Sequence, residues 1–487
     1  MDASRRTECL PNTRTDILKF IFDWVEDATS QQNLLWLHGL AGSGKSTLAT
    51  TIANICGTSG KLGAFLFFDR DVNHRSDPTS VIRTLAHQLA SSDPRIGAAI
   101  RAAVEKNSNI LMSSLHLQFQ RLILDPLSIA HDATTIVVVL DALDECRTAD
   151  DRENLLAVLA NDFIHVPLAI RTIVMSRAEI DLYNAFTSRP HILVHELDIT
   201  SPSNSDDILS YFRYRMSLIC GKMRHLRLDK DWPGDEVFRK LVKRASGLFV
   251  WASTASEFIH GHDPRRRLDV ILNGEAGLGA ENALDALYKT ALEGIDLWDD
   301  EDFVADFRNI MGSIIVVWQP LSSSAIDALL YLPDDKPSMH TISLLGCVLQ
   351  QSPGVRVLHP SFTEFLVTRQ RCGRDIWFFD RPTCHRYLAF LCLDRMNAVL
   401  KHNMCNMTLS VDRADENLSE DVSYSCVFWI NHVCAIEQDI APIMDRLRGF
   451  LHRHFLHWFE ALSILKRSRD SISLINRLLH WMSVSRP

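Results

Sequence analysis

Eight residues, Gly39-Leu40-Ala41-Gly42-Ser43-Gly44-Lys45-Ser46, place glycines, a lysine and a hydroxyl at the spacing that cradles a phosphate chain. Glycines let the backbone turn its N–H groups inward around an anion, and the helix that follows offers its positive N-terminus to the same charge. In such a loop Lys45 would reach the β- and γ-phosphates, and the Ser46 hydroxyl would hold Mg2+. Thr47 would donate toward the α-phosphate. A second cluster, Asp141-Ala142-Leu143-Asp144-Glu145, follows the apolar run 135–140. Asp141 is placed to serve Mg2+, directly or through water, and Asp144 or Glu145 to orient an attacking water. A third apolar run ends in Ser176-Arg177, where a guanidinium could read the γ-phosphate and stabilise charge.

These groups need a scaffold that brings three chain segments to one edge. Apolar runs at 33–38, 62–68, 134–140, 170–175 and 191–195 read as strands. Helical spacing fills the gaps at 45–57, 79–91, 94–107, 114–124 and 152–161. Strands alternating with helices predict a parallel sheet covered on both faces, with its ligand at the C-terminal ends of the strands. A helix at 15–28 precedes the first strand. After residue 200 the pattern turns helical, with Ser203 or Ser205 capping a helix through Asp207, Ile208 and Phe212, then helices at 235–244 and 249–260. The stretch His262 to Gly279 reads as linker. Beyond it come helices, one short strand at 354–358, and helices to the end.

Composition narrows the function classes. The chain has 487 residues, too many for one ordinary core, and 51 basic against 60 acidic residues give a net charge of −9. A nucleic-acid binder needs a dense basic face, and the runs Arg265-Arg266-Arg267 and Lys466-Arg467 read as solvated surface. Eleven cysteines include no CxxC pair and no zinc-module spacing, and Cys384-His385 reads as ordinary helix content. Reduced thiols and the lack of an apolar signal core fit a cytoplasmic protein. No apolar stretch reaches the length that crosses a bilayer; the longest, near Ile310 to Trp318, is core-sized. No N-K-x-D base-reading motif, HExxH, GxSxG or kinase catalytic set occurs.

Taken together the motifs resemble the NACHT class of signal-transduction (STAND) NTPases, in its fungal NLR-like receptor branch. The resemblance begins at Cys9-Leu10-Pro11-Asn12-Thr13-Arg14 and continues through Trp36 to Thr47, Phe67-Phe68-Asp69-Arg70 and Thr84-Leu85-Ala86-His87-Gln88-Leu89. It includes the D-x-x-D-E cluster at Asp141, and Ser176-Arg177 looks like the family's sensor-1 arginine. Ala245-Ser246-Gly247-Leu248-Phe249-Val250-Trp251-Ala252 looks like the close of its small helical domain. Gln319-Pro320-Leu321-Ser322 and Leu358-His359-Pro360-Ser361-Phe362-Thr363-Glu364-Phe365-Leu366 look like parts of its winged-helix domain.

The resemblance implies ATP or ADP with Mg2+ as ligand, with GTP left open. The expected site is Gly39, Gly42, Ser43, Gly44, Lys45, Ser46 and Thr47, joined by Thr13 and Arg14 from the segment before it. His359 would touch the β-phosphate of ADP and hold a closed state. Phe249 stands where plant-type relatives set a proline against the adenine. The expected layout is a linker and helix over 1–30, a P-loop nucleotide-binding domain over 31–200 and a small helical domain over 201–262. A linker over 263–285, a winged-helix-like domain over 286–370 and a C-terminal helical domain over 371–487 follow. The chain reads as the switch alone, without the family's usual effector and repeat domains, either as a switch-only protein or as a piece of a longer one. The function so implied is an ATP/ADP switch with slow hydrolysis, opening and self-associating in non-self recognition or innate immunity, with effector or sensor proteins acting in trans. The alternatives are a P-loop ATPase or kinase with steady turnover, and a winged-helix DNA-binding regulator. Against the last, 321–331 carries no Lys or Arg where a recognition helix would need them.

Overall fold

A computed structural model of the chain describes residues 7–69, 77–129, 135–146, 149–223, 228–229, 231–274, 279–351, 354–404, 418–438 and 440–484. Arg70 of the FFDR motif and Cys405 lie outside them. The chain divides into two units, residues 1–284 and 285–487.

The first unit is built on five parallel strands: β1 (Leu34–His38), β2 (Leu62–Phe67), β3 (Ile136–Asp141), β4 (Ile170–Ser176) and β5 (Ile192–Glu196). Their order across the sheet is β2-β3-β4-β1-β5. Side chains of a strand alternate between faces, and the sequence uses both. Leu35, Leu37, Val137, Val139, Ile173 and Met175 pack on one face against Ile21, Trp24 and Val25 of the helix Thr15–Glu26 and Leu48 and Ile52 of the helix Lys45–Thr58. Trp36, Val138, Leu140 and Val174 face the other way, onto the helices Val81–Ser92, Pro94–Lys106 and Ala149–Ala157. Burial on both faces explains why β1 and β3 read as unbroken apolar runs and why Ile173-Val174-Met175 of β4 does. Each such buried side chain contributes about 1.5–3 kcal/mol. The parallel sheet with helices on both faces is thus as the sequence predicted.

The helical part of this unit departs from the sequence reading in two places. The cap of the helix Pro202–Lys222 is Ser201, whose hydroxyl accepts from the Asn204 N–H at 3.2 Å, rather than Ser203 or Ser205. The supposed linker, 263–285, carries the helix Pro264–Asn273 and the start of the helix Ala280–Glu293. Pro264 sits at the first helical position, the Asp263 side chain accepts from the Arg266 N–H, and Leu268 and Ile271 are buried. Arg244 of the helix Asp235–Ala245 ties its end down by donating to the carbonyls of Leu272 and Gly274. Three arginines in four positions had lowered the apparent apolar content of a docked helix.

The second unit opens with the helices Glu301–Val316, Ser323–Leu330 and Ser338–Leu344. A two-residue antiparallel pair follows, Leu349–Gln350 with Arg356–Val357, and Leu321 bridges to Val355 beside it. Next come the helix Pro360–Val367 and four long helices, Arg381–Val399, Glu420–Cys434, Ala441–Ile464 and Asp470–Val484. Their core centres on Trp429, with ring centroids 5.3 Å from Phe450 and 5.6 Å from Trp458.

Among the described residues no helix is long and apolar enough to cross a membrane, and no group of three or more His, Cys, Asp or Glu side chains is placed to hold a metal.

Candidate nucleotide site

Strand register aligns the three reactive segments. His38 pairs with Ser176, and Leu140, one residue before Asp141, pairs with Val174, so the chain leaves β1, β3 and β4 along one edge. β4 stands between the other two, which puts Arg177 between the glycine loop and the acids, roughly 5 Å from either neighbouring strand. Trp36 of β1 donates its indole N–H to the Ser176 hydroxyl at 2.8 Å, and the Gly39 N–H donates to the Ser176 carbonyl at 3.3 Å. These two bonds lock the tip of β4 to the root of the loop.

Two loop positions require glycine. Gly42 has φ +75°, and a Cβ there would lie 2.0 Å from Cγ1 of Val250, while its carbonyl accepts from the Val250 N–H at 3.0 Å. Gly44 has φ +93° and caps the helix Lys45–Thr58, and a Cβ there would stand in ordinary van der Waals contact with Arg14 and Phe249. The loop therefore rests on the start of the helix Phe249–Ile259, whose Phe249 and Val250 form its wall. Ser43 is fully buried, and its hydroxyl has no hydrogen-bond partner. Ser46 is exposed and Thr47 half-buried on the first helical turn.

Lys45 points back into the loop, donating to the carbonyls of Gly39 and Leu40 at 2.8 Å each. Burial pulls its pKa from the ordinary 10.5 down to about 8; Asp144 opposes this, Arg177 adds to it, and Asp141 and Glu145 oppose it. The four groups predicted from sequence to share its site are the ones whose charges act on it. A desolvated ammonium among loop carbonyls is poised for an anion that would complete its charge pairing. Loop, ammonium and buried acid fit a Mg2+-bound nucleoside phosphate: Lys45 and the loop amides would hold phosphate, and Ser46 and Asp141 would hold the metal.

The acids divide their work. Asp141 ends β3 and is fully buried. Ala142 takes a left-handed conformation, φ 58°, which throws residues 143–145 into a 3-10 turn. Asp144 is 3% exposed, and its carboxylate accepts from the Arg177 backbone N–H at 3.0 Å and pairs with Arg177 Nε at 3.3 Å. Sequence left Asp144 and Glu145 as equal candidates for orienting water. Each oxygen of Asp144 contacts Arg177, which makes Asp144 the arm that sets Arg177, while Glu145 is half-buried on the same turn.

Thr13 and Arg14 had been expected to bind the ligand. Thr13 closes a local turn, its hydroxyl donating to the Leu10 carbonyl at 2.6 Å. Arg14, 6% exposed, donates from its guanidinium to the Ser43 carbonyl and from its backbone N–H to the Asp207 carboxylate at 3.0 Å, and its guanidinium lies 4.6 Å over the Phe249 ring. It is a strap beneath the loop that ties the loop backbone to the helices Pro202–Lys222 and Phe249–Ile259. His359 belongs to the second unit. There it caps the helix Pro360–Val367, its Nδ1 accepting from the Ser361 N–H at 3.2 Å and lying 2.7 Å from the Ser361 hydroxyl, which in turn bonds Tyr288 OH at 2.8 Å.

Sequence reasoning missed Arg152. It is 1% exposed and donates from Nη1 to the Asp144 carbonyl at 2.9 Å. The signal was present: Arg152, Leu155, Leu156 and Leu159 fall at i, i+3, i+4 and i+7, so the arginine occupies the apolar stripe of its helix.

Comparison with known proteins finds distant likenesses. The family profile described as Nephrocystin 3, N-terminal, matches residues 14–177. The vegetative incompatibility protein HET-E-1 of Podospora anserina is 23% identical over 485 residues, covering 92% of this chain and 34% of that protein. The chain thus spans about a third of the length of that curated relative. Among solved structures, Drosophila ORC bound to DNA aligns at 13% identity and TM-score 0.36, over 69% of this chain and 86% of that one. Cdc6p from Pyrobaculum aerophilum aligns at 12% identity and TM-score 0.32, over 77% and 99%. Likeness that low carries no argument about function. What the chain itself shows is a parallel sheet with flanking helices and a large helical region after it.

Proposed function

We propose that the chain is a nucleotide-operated switch of the NACHT type. Its P-loop unit would bind ADP or ATP with Mg2+, hydrolyse ATP slowly, and change its self-association with the nucleotide held. The observation that carries this reading is the convergence on Lys45 of Asp141, Asp144, Glu145 and Arg177, while the same loop is packed against Phe249 and Val250 of the helical segment. A loop wired to helices that lie outside the sheet ties phosphate occupancy to something other than chemistry. Differential affinity for the two nucleotides is what such a switch needs, and Arg177 at the γ-phosphate end would supply it. In the same reading residues 286–370 serve as the winged-helix-like part, and His359 reaches the β-phosphate of ADP in the closed state. The setting proposed is fungal non-self recognition in the cytoplasm, with effector or sensor proteins in trans.

The test is to purify the protein without added nucleotide, denature it, identify what co-purified by chromatography, and size the native sample alongside. Stoichiometric ADP on a monomer, with ATP exchange driving assembly, is the expected result. An empty protein that turns over ATP steadily without changing size would replace the switch with an ordinary ATPase.

A further inference from the structure

Arg152 is a guanidinium with almost no access to water, and each face of it is used. Nε donates to Asp181 Oδ2 at 2.6 Å and Nη2 to Asp181 Oδ1 at 2.9 Å, a two-pronged grip on one carboxylate. Nη2 also reaches Glu179, and Nη1 donates to the Asp144 carbonyl at 2.9 Å. One side chain thereby joins three segments: its own helix Ala149–Ala157, the start of the helix Ile180–Phe186 that follows β4, and the acid turn after β3. Asp144 is gripped at both ends, its carbonyl by Arg152 and its carboxylate by the backbone and side chain of Arg177.

Such a cluster is a poor way to gain stability, because desolvating buried charges roughly cancels their attraction and an apolar group of the same volume would serve as well. What it does supply is direction. The bidentate pair fixes the plane of the guanidinium, so the Nη1 that meets Asp144 cannot drift. The Asp144 carboxylate in turn determines where the Arg177 side chain starts from as it leaves the tip of β4.

We infer that Arg152 is a positioning residue: it holds the Asp144 turn so that Asp144 presents Arg177 toward the γ-phosphate end of the site, and it thereby sets how well the site tells a triphosphate from a diphosphate. The inference rests on the reading of Arg177 as the γ-phosphate group. It assigns to Arg152 no contact with the nucleotide.

The experiment compares the full chain as wild type, Arg177→Ala, Arg152→Gln, Asp181→Asn and the double variant Arg152→Gln/Arg177→Ala. It measures affinity for Mg-ADP and for a non-hydrolysable Mg-ATP analogue, with melting temperature alongside. Losing a hydrogen bond to a charged group costs about 10- to 100-fold in affinity, so Arg177→Ala should weaken the ATP analogue by that order and leave ADP within about twofold. Arg152→Gln should shift the ATP-to-ADP ratio in the same direction, and the double variant should be no worse than Arg177→Ala alone, because both act on one contact. Asp181→Asn keeps the guanidinium and loosens its grip, and should give a smaller shift of the same sign. A folded Arg152→Gln protein with an unchanged ratio, or full additivity in the double variant, overturns the inference. Should Arg152→Gln fail to fold, an unchanged ratio in Asp181→Asn overturns it equally. A wild type that binds neither nucleotide, or an Arg177→Ala variant with an unaltered ratio, instead overturns the reading of the site, and the inference falls with it.

Discussion

Lys45 should make nucleotide affinity depend on pH above neutrality. Its pKa lies at about 8 in the unliganded fold against 10.5 ordinarily, chiefly through burial. A phosphate set against the ammonium favours its charged form and draws the pKa back up. In the unliganded chain the folded value is the lower one, so between about pH 8 and 10.5 the unfolded state binds the extra proton. The penalty on the empty fold is therefore complete below about 8 and is relieved as pH rises through that window. Nucleotide binding runs the opposite way, since it takes up a proton that the empty site has lost. With a bound pKa near or above the ordinary one, the dissociation constant scales as 1 + 10^(pH−8), which is roughly a tenfold weakening from about pH 7 to about pH 9, or ~1.4 kcal/mol. A phosphate's own second ionisation lies near pH 6 and is finished before this range. Titration calorimetry with ADP, in two buffers of different ionisation heat, reads both quantities. At about pH 8.5 it should show uptake of about 0.75 proton per site. An affinity that stays flat from neutrality to about pH 9, or net proton release in that range, would refute the claim that Lys45 is held desolvated until phosphate arrives.

Three further outcomes follow from the geometry. Glu145→Gln should lower ATP hydrolysis by roughly 10²- to 10⁴-fold with ADP affinity kept, as loss of a general base does; Asp144→Asn abolishing hydrolysis while Glu145→Gln leaves it intact would reverse the assignment of the two acids. Gly42→Ala forces a side chain into a left-handed turn already filled by Val250, so calorimetric melting should show a loss of about 1–3 kcal/mol, and a wild-type melting temperature would contradict the close packing. His359→Ala removes a helix cap worth about 1 kcal/mol and, on the proposed closed state, should speed ADP release in a stopped-flow chase; an unchanged release rate would leave His359 a capping residue alone.

The parts of the fold that were legible are those where one residue type had one use. Unbroken apolar runs such as Val137-Val138-Val139-Leu140 read as central strands because both of their faces are covered. The glycine loop was legible because positive φ at Gly42 and Gly44 admits little else. Other features depended on partners distant in sequence. Nothing near Asp144 says that its carboxylate belongs to Arg177, 33 residues on. The partners of Arg152, Glu179 and Asp181, lie 27 and 29 residues further along, and nothing near it announces them. The helix Pro264–Asn273 was hidden by its arginines, although Asp263 and Pro264 announce a helix start. Arg14 was expected among the ligand-binding residues, and spacing could not show that its guanidinium holds loop backbone.

That last placement changes where the nucleotide-binding unit begins. Counted from the sheet, it starts at Leu34; counted by what supports the loop, it starts some twenty residues earlier. A cut in the exposed turn near Thr29 would leave all five strands intact and still free the segment whose guanidinium props up the Ser43 carbonyl. The same segment also meets the helix that follows the loop, the Cys9 N–H donating to the Thr51 hydroxyl at 2.9 Å, so both contacts of residues 9–14 with the phosphate-loop region bypass the sheet.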